Sequence, residues 1–366
     1  MGTAIRFSSW IFLFVIMRIA YLHTKSLCQD IKNLILDIQT NLKSSDIMTY
    51  EVKNCDFRWF RLHELFRLRR FLRKNKIDIV HTYHYIDAYC ALLASRLLKT
   101  KVIYSAYSYH DELSGLSKRI FQRVLSNVDS IVFQTNTQKN KFISTYNLDQ
   151  DKHYKLFHGF SMKRFDEYSR ESVRDEFFID DFRYLIGTLG DFTPEHDVMN
   201  VFKMVKKLRK TGRNFTCVVA GEQLEDHEFF FNECKYYYLM QGLDNYITFV
   251  GARNDVPSFL SQLDAFVYHS DNEVIALPVI QAMLSGVNVV VNDSEMIKEI
   301  TSNGKYATIY KTNDSADFAN NTRQLLIDLE DYQIIAQTIK EETREIFSIK
   351  RHVAGLKEIY SKVNNH

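Results

Sequence analysis

The segment SDNEVIALPVIQAMLSGVNVVVND, from Ser270 to Asp293, leaves few folds open to this chain. An apolar run, LDAFVYHS, leads into it and a second, VNVVV, closes it; between them an apolar stretch at helical spacing opens at Pro278. Proline is tolerated in a first helical turn because its missing N–H would find no intrahelical partner there. The order is therefore strand, loop, helix, strand, the repeating unit of a parallel α/β sheet. Glu273 falls in the loop before the helix, and Gln281 follows eight residues later on its first full turn. Free N–H groups and the positive dipole end at a helix start favour an anionic or hydroxyl-rich ligand, by about 0.3–1 kcal/mol per charge. A sugar phosphate suits that environment.

The chain of 366 residues is long enough for two domains, and its apolar and aromatic content supplies two cores. A net charge of +2 argues against a dedicated nucleic-acid binder, which needs a basic face for phosphates. The five cysteines, Cys28, Cys55, Cys90, Cys217 and Cys234, include no C-x-x-C pair, so neither a disulfide framework nor a zinc site is indicated. A reducing cytoplasm fits that usage best. Residues 1–16 form an apolar N-terminal extension, too short to span a bilayer, which reads as dispensable, as a membrane-touching anchor or as a cleaved signal. The first strand is expected from Met17.

The string Glu273, Leu277, Pro278, Ala282, Met283, Gly286 and VNVVV resembles the signature E-G-F-G-L-P-x-x-E-A-M-x-x-G-x-P-V-V of retaining GT-B glycosyltransferases, in particular glycosyltransferase family 4. Here Val274 and Ala276 stand in place of glycines and Gln281 in place of the second glutamate. The resemblance runs from Met17 to the end and is strongest between Tyr184 and Asp293. It implies an α/β fold of two Rossmann-like domains facing a cleft: 17–160 on the acceptor side and 161–344 binding the nucleotide sugar, with a C-terminal helix, 345–366, packed back on the first. It further implies a nucleotide-sugar donor, a glycan or lipid-linked acceptor, and neither a cofactor nor a divalent metal.

Site residues follow from the same resemblance. Glu273 is expected at the sugar hydroxyls, Gln281 at the ribose and His110 beside the reacting centre. His110 closes the strand-like run VIYSAYSYHD, as His81 and His84 close IDIVHTYHY, at the loop edge where open parallel sheets bind ligands. Gly190, Gly221, Arg253, Ala276 and Leu277 complete the donor side. Two departures bear on the diphosphate. In the family the loop after Gly190 carries an Arg and a Lys, and here Asp191 and His196 hold those positions. Uncompensated loss of two such cations costs on the order of 1.5–3 kcal/mol each. The first strand-to-helix loop, HTKSLCQD, also lacks the family's Gly-Gly pair.

One further element points to a surface. RWFRLHELFRLRRFLRKNK, Arg58 to Lys76, places apolar residues at helical spacing beneath a dense basic set. Such a helix either packs on the sheet with a solvated charged face or lies on an anionic membrane on the inner face of the plasma membrane.

Overall fold

The computed structural model describes residues 17–23, 28–42, 47–51, 62–111, 113–167, 172–271 and 275–365. The expectations for residues 1–16, for most of the first strand-to-helix loop and for the Arg58 end of the basic helix lie outside them.

Among the described residues, twelve strands build two sheets, and every pairing is parallel. In the N-terminal lobe, β1 (Ile19–His23), β2 (Ile47–Glu51), β3 (Ile79–Thr82), β4 (Lys101–Ala106), β5 (Ser130–Phe133) and β6 (Tyr154–Lys155) lie in the order β2-β1-β3-β4-β5-β6. In the C-terminal lobe, β7 (Tyr184–Leu189), β8 (Phe215–Ala220), β9 (Ile247–Gly251), β10 (Ala265–Tyr268), β11 (Val289–Asn292) and β12 (Thr308–Tyr310) lie in the order β12-β11-β10-β7-β8-β9. Strands such as FTCVVA and AFVY are buried along their whole length because helices cover both faces of a parallel sheet. In each sheet the order reverses once, between β1 and β3 and between β7 and β10. Open α/β sheets leave a ligand crevice at the carboxyl ends of such neighbouring strands.

The chain crosses between lobes twice, and the crossings hold each other. Phe160 N–H donates to the Phe347 carbonyl and Ile349 N–H donates back to that of Phe160, each at 2.8 Å. The last helix, Ile349–Asn365, therefore belongs to the N-terminal lobe, where Val353, Leu356, Ile359, Tyr360 and Val363 pack on β1 and the helix Gln29–Asn41. Tyr360 Oη lies 2.7 Å from Tyr21 Oη and 2.6 Å from His81 Nδ1. His81 is thus an internal strut, and burial lowers its pKa to about 3. Across the lobes, the Glu299 carboxylate accepts from the N–H groups of Asn136 and Thr137, at the start of the helix Asn136–Tyr146.

The basic helix runs from Leu62 to Lys74 and buries Leu68 and Leu72 in the lobe's core, so the packed alternative describes its inner face. Among the described residues no helix is long and apolar enough to cross a membrane.

Candidate active site

A cleft of about 520 Å³ opens where the two lobes meet. The N-terminal lobe supplies Asp30, Asn33, Leu34 and Asp37 from the helix Gln29–Asn41; the crossing segment supplies His158 and Arg164; the C-terminal lobe supplies the loops after β7, β8 and β9 and the start of the helix Leu277–Ser285.

Three backbones are laced together at the C-terminal wall. Gly190 N–H donates to Ala220, Gly221 N–H to Gly251 and Phe192 N–H to Glu222, at 2.9, 3.0 and 3.0 Å. The approach is so close that a Cβ on Gly221 would lie 2.0 Å from the Gly190 oxygen, and one on Gly190 would lie 2.6 Å from His196 Nδ1. Only glycine lets these backbones and the His196 ring pack so closely. Asp191 adds to the lacing, since its Oδ1 accepts from Glu222 N–H at 2.9 Å.

His196 does not line the cleft. Its ring lies beneath the Gly190 loop, stacked on Tyr268 at 4.8 Å, with Nδ1 3.1 Å from the Asp191 carbonyl and Nε2 3.4 Å from Thr188 Oγ1. Burial lowers its pKa to about 4, so at neutral pH it carries no charge. The expectation that it contacts the donor in a lysine's place is therefore corrected: it props the loop from behind. Arg253 does line the cleft, but its guanidinium is engaged, with Nη2 2.7 Å from Asp255 Oδ2 and Nη1 2.9 Å from Glu176 Oε2. Those carboxylates hold its pKa above the ordinary arginine value.

The helix after β10 begins at Leu277, one residue before Pro278. Ala276 is wholly buried and Leu277 packs on the core, so both shape the helix start without lining the cleft, whereas Gln281 reaches it. Gln281 hydrogen-bonds the Asp30 carboxyl group of the opposite lobe, whose pKa burial raises. A neutral amide suits this position, since a second carboxylate would face Asp30 across the gap. His110 ends the β4 loop in a left-handed conformation, φ 58°, with its ring among Tyr85, Phe121 and His84. It is not among the described residues that line the cleft. Glu273 and Val274 lie outside the described residues.

Sequence reading missed Asp30, Asp37 and Arg164. Arg164 Nη2 lies 3.0 Å from Asp37 Oδ2, joining the crossing segment to the N-terminal lobe. Asp30 has a faint signal as an acid in a first helical turn, but nothing in the sequence marks it as facing the other lobe. The described lining holds Asp30, Asp37, Glu167, Asp191 and Asp255 against Arg164 and Arg253. Its carboxylates thus outnumber its guanidinium groups.

Comparison with known proteins agrees with this architecture. Residues 169–342 match the family Glycosyl transferases group 1, and residues 49–160 match Glycosyltransferase Family 4. A lipopolysaccharide core biosynthesis mannosyltransferase of Rhizobium meliloti is 22% identical over 251 residues, covering 68% of each chain. The N-acetyl-alpha-D-glucosaminyl L-malate synthase of Bacillus anthracis is 20% identical over 298 residues, covering 80% of this chain and 76% of that protein. Among solved structures, a glycosyltransferase from Rickettsia africae superposes with a TM-score of 0.79 at 16% identity, covering 96% of this chain and 99% of that one. Anabaena HepE in complex with UDP and glucose gives a TM-score of 0.79 at 14% identity, covering 94% and 99%. With the group 1 family on its C-terminal lobe and family 4 on its N-terminal lobe, the chain is a glycosyltransferase of the GT-B fold.

Proposed function

We propose that the protein moves a sugar from a nucleoside-diphosphate sugar to a hydroxyl of a surface-glycan or lipid-linked acceptor, with retention at the anomeric carbon. The observation that carries this reading is the two-lobed cleft walled by closely laced backbone at Gly190 and Gly221, at the carboxyl edge of the C-terminal sheet. Relatives named for lipopolysaccharide core synthesis and a neighbour holding UDP and glucose support it.

In the reaction the acceptor oxygen bonds to the anomeric carbon as the bond to the diphosphate breaks. The bonding pair leaves with the nucleoside diphosphate, and the acceptor proton passes to the departing phosphate oxygen or to solvent. Charge grows on that leaving group and on an oxocarbenium-like sugar, so fixed dipoles aimed at both are the main catalytic resource. Glu273 is assigned to the sugar hydroxyls and Gln281 to the ribose. The backbone at Gly190 and Gly221 lies along the donor, and Arg253 flanks the base.

Calorimetry with UDP- and GDP-sugars tests the donor, and NMR of the product anomer tests retention. Glu273→Ala is expected to abolish transfer while the melting curve stays unchanged; undiminished turnover would remove Glu273 from this role. A second reading, a GT-B protein that has lost donor chemistry and serves as a subunit, is favoured by the acidic lining and the engaged state of Arg253. Absence of heat with any donor at millimolar concentration would select it.

A further inference from the structure

Beside the cleft, at the reversal of the C-terminal sheet, three side chains converge from two neighbouring loops. Asp197 follows β7, and His269 and Asp271 follow β10, which pairs with β7. His269 is fully buried, yet its Nε2 makes no hydrogen bond. Two carboxylate oxygens lie close to it, Asp271 Oδ1 at 3.2 Å and Asp197 Oδ2 at 4.0 Å, and neither is hydrogen-bonded to it. A buried ring nitrogen that faces two carboxylates without bonding either is an unfinished arrangement, because buried polar atoms are nearly always paired.

We propose that Asp197, His269 and Asp271 form a site for one divalent transition cation, Zn²⁺ or Mn²⁺. The three donor atoms lie within 4.8 Å of one another. A cation about 2.0–2.2 Å from each ligand draws such atoms roughly 3–4 Å apart, and Asp271, which is exposed, can rotate to close the remaining gap. The supporting contacts are in place. Tyr310 Oη lies 2.6 Å from His269 Nδ1, and Asn200 Nδ2 donates to Asp197 Oδ2 at 2.6 Å. Partners of this kind fix the ring and the carboxylate that face a metal. The imidazole nitrogen favours zinc and the two carboxylates admit manganese, whereas magnesium prefers an all-oxygen shell.

The test strips the full chain with a chelator and titrates it with Mn²⁺, following the free ion by electron paramagnetic resonance, with Zn²⁺ as competitor. One ion per chain is expected. Asp271→Asn and Asp197→Asn should each weaken binding at least about tenfold, since even supporting residues of metal sites are worth that much. Their metal-free melting curves should match that of the parent, and Asp244→Asn, on a remote turn, should bind as the parent does. No bound Mn²⁺ or Zn²⁺ at millimolar concentration would overturn the proposal, as would equal binding by the Asp271 and Asp244 variants. Donor calorimetry on the stripped protein keeps the two readings separate: heat without metal leaves the transferase standing even when the cation site fails.

Discussion

A methyl group on Gly221 would sit 2.0 Å from the Gly190 carbonyl oxygen, and backbone cannot yield as a side-chain tip can. Gly221→Ala should therefore cost about 1–3 kcal/mol, as overpacking does, and should weaken donor binding more than it lowers the melting temperature. Equal donor affinity in calorimetry would show that this wall does not meet the ligand. Buried histidines set a second residue-scale property. Burial holds His81 and His158 at about 3 and His196 and His352 at about 4. The unfolded chain takes up these protons first, near the ordinary value of 6.5, so stability is full above that pH and is lost as pH falls towards the folded values. By pH 5 each group alone withdraws about 2 kcal/mol. Asp30 and Asp37, whose pKa values burial raises, act in the opposite sense at lower pH. Melting by circular dichroism should show a clear drop between pH 7.5 and pH 5; a flat profile would mean that these rings are not buried neutral. At this scale the sequence was a poor guide, because His196 looks the same in a string whether it faces a phosphate or props a loop.

The helix Leu62–Lys74 shows how an element can serve two sides. Leu68 and Leu72 enter the core, while Phe66 is 69% exposed, and Arg70, Arg73 and Lys74 surround it on the outer face. Apolar spacing announced the helix, but only packing sorted its apolar residues into inner and outer sets. An exposed phenylalanine among arginines is suited to an anionic surface, where each basic residue near the membrane contributes about 1 kcal/mol. Sedimentation with anionic vesicles should capture the protein at low salt, and Phe66→Ser with Arg70→Glu and Arg73→Glu should release it. Equal recovery with zwitterionic vesicles would reduce this face to a solvated one.

At the scale of the whole molecule the two crossings at Phe160 and Ser348 decide how the lobes are built. The N-terminal lobe is completed by the last helix, whose apolar residues each contribute about 1.5–3 kcal/mol when buried. Their sum is comparable with the 5–15 kcal/mol stability of an ordinary domain. A chain ending at Phe347 should thus lose the cooperative melting of the N-terminal lobe while the C-terminal sheet persists; two intact transitions would show that the helix is dispensable.

The sequence by itself determined the two α/β lobes, since buried parallel strands must be apolar throughout and their helices must be periodic, both of which are local properties. It also marked Gly190, Gly221, Arg253 and Gln281, residues that the structure brings to one cleft. Tertiary structure alone decided that Asp30 meets Gln281 across the lobes, that Arg253 is already engaged by Glu176 and Asp255, and that Asp197 approaches His269. Each of these joins residues far apart in the chain, and what sets their charge state is the burial and the partner that folding supplies.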